Sequence, residues 1–181
     1  MKVLFLDRDG VINIDHGHVS RIEDFVFIDG IFELCKYYIS KNYKVIVVTN
    51  QTGIGLGLYT LDDFIKVNNY MLEEFKKHGV DILDVFYCPH DPNSNCECRK
   101  PKPKMFFDAK DKYNIDLKNS IMVGDKVTDA IAAYNAGIKN IYLINNNEEL
   151  DFNVLRVKTL LEVIKWNILA QMELEEKPIL S

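Results

Sequence analysis

Val3-Leu4-Phe5-Leu6-Asp7-Arg8-Asp9-Gly10 holds four apolar residues, then three charges and a glycine, and from this stretch the fold can be read. A short apolar run without alternation suits a strand buried on both faces. Four similar runs follow, at 45–48, 82–87, 121–123 and 141–144. Amphipathic stretches lie between them. Ile31, Leu34, Cys35, Tyr38 and Ile39 share one helical face, as do Phe64, Val67, Met71, Leu72 and Phe75. Thr60 is the expected N-cap of the second helix, and Gly137 the expected end of a helix beginning near Thr128. A further helix is expected over 104–113. The last, about 158–176, sets Leu160, Leu161, Ile164, Ile168 and Met172 on one side, to pack on its own domain. Strands alternating with helices pair in parallel through right-handed crossovers. The predicted fold is therefore α/β: a doubly wound, Rossmann-like parallel sheet with helices on both faces.

The rest of the chain narrows the class. At 181 residues and 48% hydrophobic it fits one domain, 1–181, and is no disordered polypeptide. A net charge of −5 argues against a broad nucleic-acid surface, and no apolar run is long enough for a membrane span. With no export signal, four cysteines point to the reducing cytoplasm. A monomer working on a small molecule, without nucleic-acid or membrane partners, is expected.

In open α/β sheets ligands bind beyond the carboxyl ends of the strands. There the first strand delivers Asp7 and Asp9, the second Thr49-Asn50-Gln51-Thr52, the third Cys88-Pro89-His90, and the fourth Gly124-Asp125-Lys126. A carboxylate such as Asp7 can attack phosphorus directly, but both reactants are anionic, so a divalent cation must screen them. Mg²⁺ prefers carboxylate oxygens, and Asp125 is the natural third acid. Asp9 can protonate the departing alkoxide and later deprotonate the attacking water. Thr49 can donate its hydroxyl, and Lys100 its charge, to phosphoryl oxygens. DRDG alone would read as a surface turn; four converging segments do not.

Read together, DRDGV, VVTNQTG, CRKPKP and MVGDKVTD resemble the motifs of the haloacid dehalogenase superfamily, in that family's order, over roughly residues 1–145. The resemblance implies a haloacid dehalogenase-like fold with Asp7 as nucleophile and Asp9 as acid/base. It implies Mg²⁺ held by Asp7, Asp125 and the backbone carbonyl of Asp9. Too few residues separate the elements for a large cap domain, so short loops should select the substrate.

Cys88, His90, Cys96 and Cys98, in the loop 88–98, supply three thiols and an imidazole within eleven residues. That is the ligand set of a closed, structural Zn²⁺ site, fixing the loop that presents Arg99 and Lys100. Cys35, on an apolar helix face, reads as core packing.

DHGHV, FIDG and CPH before C-x-CRKP extend the resemblance to the heptose bisphosphate phosphatases of that superfamily, with the histidinol-phosphate phosphatases as near relatives. It implies a sugar-phosphate substrate contacted by Asp15, His16, Gly17, His18, Asn50, Gln51 and Thr52, recognition by Arg99, and Lys126 beside Asp125. Two features depart from the heptose pattern. Only five residues separate His90 from Cys96, and Leu56 stands where arginine is usual. Histidinol phosphate therefore stays open as substrate. A phospho-aspartate signalling module is a reading from another class, opposed by the acid/base at Asp9; a scaffold with a lapsed site is opposed by the intact acids.

Overall fold

Successive side chains of a strand point to opposite faces of the sheet, and in this chain both faces are covered. The computed structural model describes residues 1–175. Six strands, β1 (Lys2–Leu6), β2 (Tyr43–Asn50), β3 (Ile82–Cys88), β4 (Ile121–Gly124), β5 (Asn140–Ile144) and β6 (Leu155–Val157), form one parallel sheet in the order β3-β2-β1-β4-β5-β6. The helices are α1 (Ile31–Ser40), α2 (Thr52–Gly55), α3 (Leu61–Lys77), α4 (Lys104–Tyr113), α5 (Val127–Asn135) and α6 (Leu160–Glu175).

Leu4, Leu6, Val45, Val47, Ile121 and Val123 face one core with α1, α3 and α6; Val3, Phe5, Ile46, Val48 and Met122 face the other with α4 and α5. The chain leaves β1 toward β2 on one side and returns to β4 on the other. The strand order thus reverses between β1 and β4, and a crevice opens where Asp7 and Asp125 emerge.

Expected local signals operate. Thr60 caps α3 in a reciprocal capping box with Asp63, and Gly137 follows α5 at φ +92°. Three expectations are corrected. β3 is an edge strand, so its residues 82–87 are only half-buried rather than enclosed. β6 is an additional strand, three residues long at the opposite edge. The supposed single face of the last helix is split: Leu160 and Val163 are buried and Tyr37 donates to Asn167, whereas Leu161, Ile168 and Met172 are exposed. That helix is described only to Glu175; the remainder of 158–176 lies outside the described residues.

Candidate active site

Gly10 turns the chain out of β1 at φ +91°, and a Cβ there would lie 2.2 Å from Asp125 Oδ2. Only glycine lets the two strand ends meet this closely. Oxygens of Asp7, Asp125 and Asp129 come within 4.8 Å of one another. Asp129, in the first turn of α5, is a site residue that the sequence reading missed.

Lys100 is buried beneath this group. Its Nζ donates to Val48 O at 2.7 Å and pairs with Asp7 Oδ1 at 3.0 Å and Asp129 Oδ1 at 2.7 Å. All three ammonium protons are thereby engaged, so Lys100 serves the carboxylates rather than reaching freely toward a phosphoryl group. Asp7 Oδ1 also accepts from the Arg8 backbone N–H at 2.8 Å. Asp129 Oδ2 accepts from the backbone N–H groups of Asp125 and Lys126 at 3.2 and 3.0 Å. Both Asp129 oxygens are therefore occupied, whereas Asp125 Oδ1 is buried without a hydrogen-bond partner. Among the described residues no hydrogen bond ends on the Asp9 carbonyl.

The electrostatics follow from this crowding. Burial, with Asp129 alongside, pushes the Asp7 carboxyl up to about 7 against the pull of Lys100. Burial pushes Asp125 up to about 6, opposed by Lys126. Lys126 resists the lowering effect of its own burial because Asp125 and Asp15 hold its proton. An orphaned buried oxygen beside strained carboxylates, at a strand end with a free carbonyl nearby, suits a hard divalent cation. Asp7, Asp125 and the Asp9 carbonyl fit that role.

Asp9 is held from several directions. Arg8 Nη2 contacts its Oδ1 at 2.9 Å and Oδ2 at 3.0 Å; Asn13 Nδ2 donates to Oδ1 at 3.0 Å and Gln51 Nε2 to Oδ2 at 3.1 Å. Arg8 itself is fully buried, over the rings of Phe25 and Phe64 at 6.0 and 5.8 Å. Thr49 Oγ1 accepts from Gln51 Nε2 at 2.9 Å, leaving its hydroxyl proton for a ligand.

Of these groups, Asp7, Asp9, Thr49, Lys100 and Asp129 line a cavity of about 480 Å³. Of the residues expected at substrate, Asp15, Gly17, His18, Asn50, Thr52, Arg99 and Lys126 line it; Tyr59 and Thr128, unforeseen, join them. His16 does not, and Gln51, with 1% of its surface exposed, lies behind the wall. Asn50 braces Lys100, donating to its carbonyl and accepting from its N–H, both at 3.1 Å. Arg99 Nη1 donates to Thr52 Oγ1, and Lys126 Nζ pairs with Asp15 Oδ2 at 3.0 Å, tying the 15–18 loop to the β4 end. Leu56, 45% exposed, stands outside the cavity.

Beside the cavity, ligand atoms of Cys88, His90, Cys96 and Cys98 lie within 4.8 Å of one another. Cys88 Sγ is 3.5 Å from both His90 Nδ1 and Cys96 Sγ; His90 Nδ1 is 3.2 Å from Cys98 Sγ, and Cys96 is 3.8 Å from Cys98. A tetrahedron with Zn–S near 2.3 Å has S–S edges of about 3.8 Å. The four groups thus fit one small soft cation. Cys35 is a separate, buried core thiol, pushed above its ordinary range by burial.

Comparison with known proteins agrees with this geometry. The Hydrolase_like family model, described as HAD-hydrolase-like, matches residues 97–150. The D-glycero-alpha-D-manno-heptose-1,7-bisphosphate 7-phosphatase of Campylobacter jejuni is 47% identical over 165 residues, 91% of this chain and 95% of that protein. The D-glycero-beta-D-manno-heptose-1,7-bisphosphate 7-phosphatase of Helicobacter pylori strain J99 is 44% identical, covering 91% of this chain and 96% of that protein. Among solved structures, D,D-heptose 1,7-bisphosphate phosphatase from B. bronchiseptica, complexed with magnesium and phosphate, superposes with a TM-score of 0.85 at 27% identity, over 94% of this chain and 99% of that one.

Proposed function

The chain belongs to the haloacid dehalogenase superfamily, in its heptose-1,7-bisphosphate 7-phosphatase family, and from that premise we propose that it hydrolyses the 7-phosphate of D-glycero-D-manno-heptose 1,7-bisphosphate by way of an aspartyl-phosphate on Asp7. The observation that carries this reading is the buried Asp7–Lys100–Asp129 arrangement at the floor of a cavity whose wall includes Arg99 and Lys126.

Lys100 and the Arg8 N–H fix Asp7 Oδ1, which assigns attack on phosphorus to Oδ2. As that O–P bond forms, the bond from phosphorus to the C7 oxygen breaks, and Asp9 gives its proton to the departing alkoxide. Water then attacks the phosphorus of the acyl phosphate while Asp9 takes its proton back, releasing inorganic phosphate and restoring Asp7. Thr49 donates to a phosphoryl oxygen throughout. Asp7, Asp125 and the Asp9 carbonyl would hold Mg²⁺, which supplies charge neutralisation between the two anionic reactants. Arg99 and Lys126, with the 15–18 loop, are the groups available to the distal phosphate and sugar hydroxyls.

The two relatives are named for opposite anomers, so heptose bisphosphate is the shared element. The loop 88–98 is assigned a structural Zn²⁺, since four protein ligands leave no open position. We assign the reaction to the cytoplasm, on the route to nucleotide-activated heptose, where reduced thiols persist.

Phosphorus NMR of the product tests the regiochemistry. Heptose 1-phosphate is expected; heptose 7-phosphate would contradict the reading. Acid quenching during turnover, followed by peptide mass analysis, should find phosphate on the peptide carrying Asp7.

A further inference from the structure

Gln51 was expected to touch substrate, yet it is buried, and both ends of its carboxamide are committed to protein. Its Nε2 donates to Asp9 Oδ2 at 3.1 Å and to Thr49 Oγ1 at 2.9 Å, while its Oε1 accepts from Tyr59 Oη at 2.7 Å. The two protons of one amide nitrogen thus span the acid/base and the phosphoryl-binding hydroxyl, on different strand ends. An amide alone can turn over and present oxygen where nitrogen was. The Tyr59 hydroxyl, its proton directed at Oε1, opposes this. Burial pushes that phenol up to about 12, so it stays protonated and a donor. Its ring is fitted deliberately close to α2: a Cβ on Gly53 would lie 2.1 Å from Tyr59 Cε1.

We infer that Gln51, oriented by Tyr59, is a positioning residue that sets the geometry of Asp9 toward the leaving group and of Thr49 toward the phosphoryl oxygens. This rests on the reading of Asp9 as the proton donor. Turning the amide would place Oε1 against the Asp9 carboxylate, oxygen facing oxygen, and Asp9 would swing from its place. The Asp9 effect should depend on how badly the leaving group needs a proton; the Thr49 effect should not.

The test compares kcat/KM, which reports steps through departure of the leaving group, for heptose 1,7-bisphosphate and for p-nitrophenyl phosphate, whose phenolate leaves without a proton. Wild type, Asp9→Asn, Tyr59→Phe and Gln51→Met are measured with Mg²⁺. Asp9→Asn should lower the heptose value by about 10²–10⁴ and the aryl value far less. Tyr59→Phe, which keeps the ring and loses one hydrogen bond, should lower the heptose value about tenfold, at least about threefold more than the aryl value. Gln51→Met should enlarge the same asymmetry. A common factor on both substrates measures the Thr49 share. Equal losses on the two substrates in Tyr59→Phe and Gln51→Met, with the asymmetry intact in Asp9→Asn, would overturn the positioning of Asp9 and leave only that of Thr49. Unchanged rates in both variants would overturn both. Equal losses in Asp9→Asn would instead overturn the acid assignment, and this inference with it. An unaltered Mg²⁺-dependent rise in melting temperature shows that each variant keeps its fold and metal site.

Discussion

Raising the pH should destabilise the Mg²⁺-free protein and, over the same interval, strengthen its hold on Mg²⁺. The Asp7 carboxyl is pushed from 3.8 up to about 7, and that of Asp125 up to about 6. From the ordinary carboxylate range up to those values the folded chain holds more protons than the unfolded chain, so stability falls as pH rises through them. A displacement of roughly three pH units at ~1.4 kcal/mol each makes Asp7 worth about 4 kcal/mol between roughly pH 4 and pH 7. Asp125 titrates in the same field, and the two contributions are not summed. A divalent cation takes the place of the proton. At about pH 8, Mg²⁺ at a hundred times its Kd adds about 2.7 kcal/mol; near pH 5 the same concentration adds well under half of that, because protons compete for the oxygens. Urea unfolding at both pH values, with Mg²⁺ omitted and with Mg²⁺ added, zinc being left in place in every sample, measures all four stabilities. The pH slope of the Mg²⁺-free protein should also flatten in Asp7→Asn. A Mg²⁺-free protein more stable at pH 8 than at pH 5, or Mg²⁺ stabilising equally at both, would refute the assignment of these carboxylates to the cation.

The same geometry sets further expectations. Asp7→Asn should lose at least about 10⁴-fold in turnover while melting no lower than wild type, because it replaces a carboxylate that burial already disfavours; residual turnover counts against the nucleophile, and a lower melting point against the burial cost. Lys100→Met strands Asp7 and Asp129 together in the interior, at a cost of about 3–5 kcal/mol, or roughly 6–20 °C in Tm by calorimetry. A fall of under about 2 °C would show that the ammonium does not hold them. Cys96→Ser, or stripping of metal by a strong chelator, should lower Tm and kcat together, with elemental analysis showing loss of one zinc per chain; a zinc-free protein that keeps both contradicts the structural site. Lys126→Ala, which unties the 15–18 loop, should raise KM for the bisphosphate severalfold with little change in kcat.

Much of the fold was legible because it is written locally. Each core strand is an uninterrupted apolar run, and Thr60 and Gly137 mark helix ends by chemistry that needs no distant partner. β6 left no such mark: it has three residues, two of them exposed, and pairs at the sheet edge. On α6, apolar residues occur on two sides, so their spacing alone could not show which side meets α1.

The site divides in the same way. Asp7, Asp9, Thr49 and Asp125 follow apolar runs directly, where strand-end position already implies convergence. Asp129 reads in sequence as an ordinary acid in a first helical turn; only the arrival of Lys100 from the loop before α4 makes it part of the centre. Arg8, between the two leading acids, is buried by Phe25 and Phe64, which reach it from other segments. Gln51 adjoins true cavity residues on both sides, so proximity suggested contact with substrate, while Tyr59 and Asp9 in fact claim its amide. The five-residue spacing before Cys96 and the leucine at position 56 had favoured histidinol phosphate. Leu56 does not reach the cavity, and the matched relatives are named for heptose bisphosphate.

The most direct test of the central claim is kcat/KM with Mg²⁺ for both anomers of D-glycero-D-manno-heptose 1,7-bisphosphate, histidinol phosphate and fructose 1,6-bisphosphate. At least about a hundredfold preference for a heptose anomer over the other two substrates, about 2.7 kcal/mol in transition-state binding, is the predicted result. Equal or faster turnover of histidinol phosphate would contradict it.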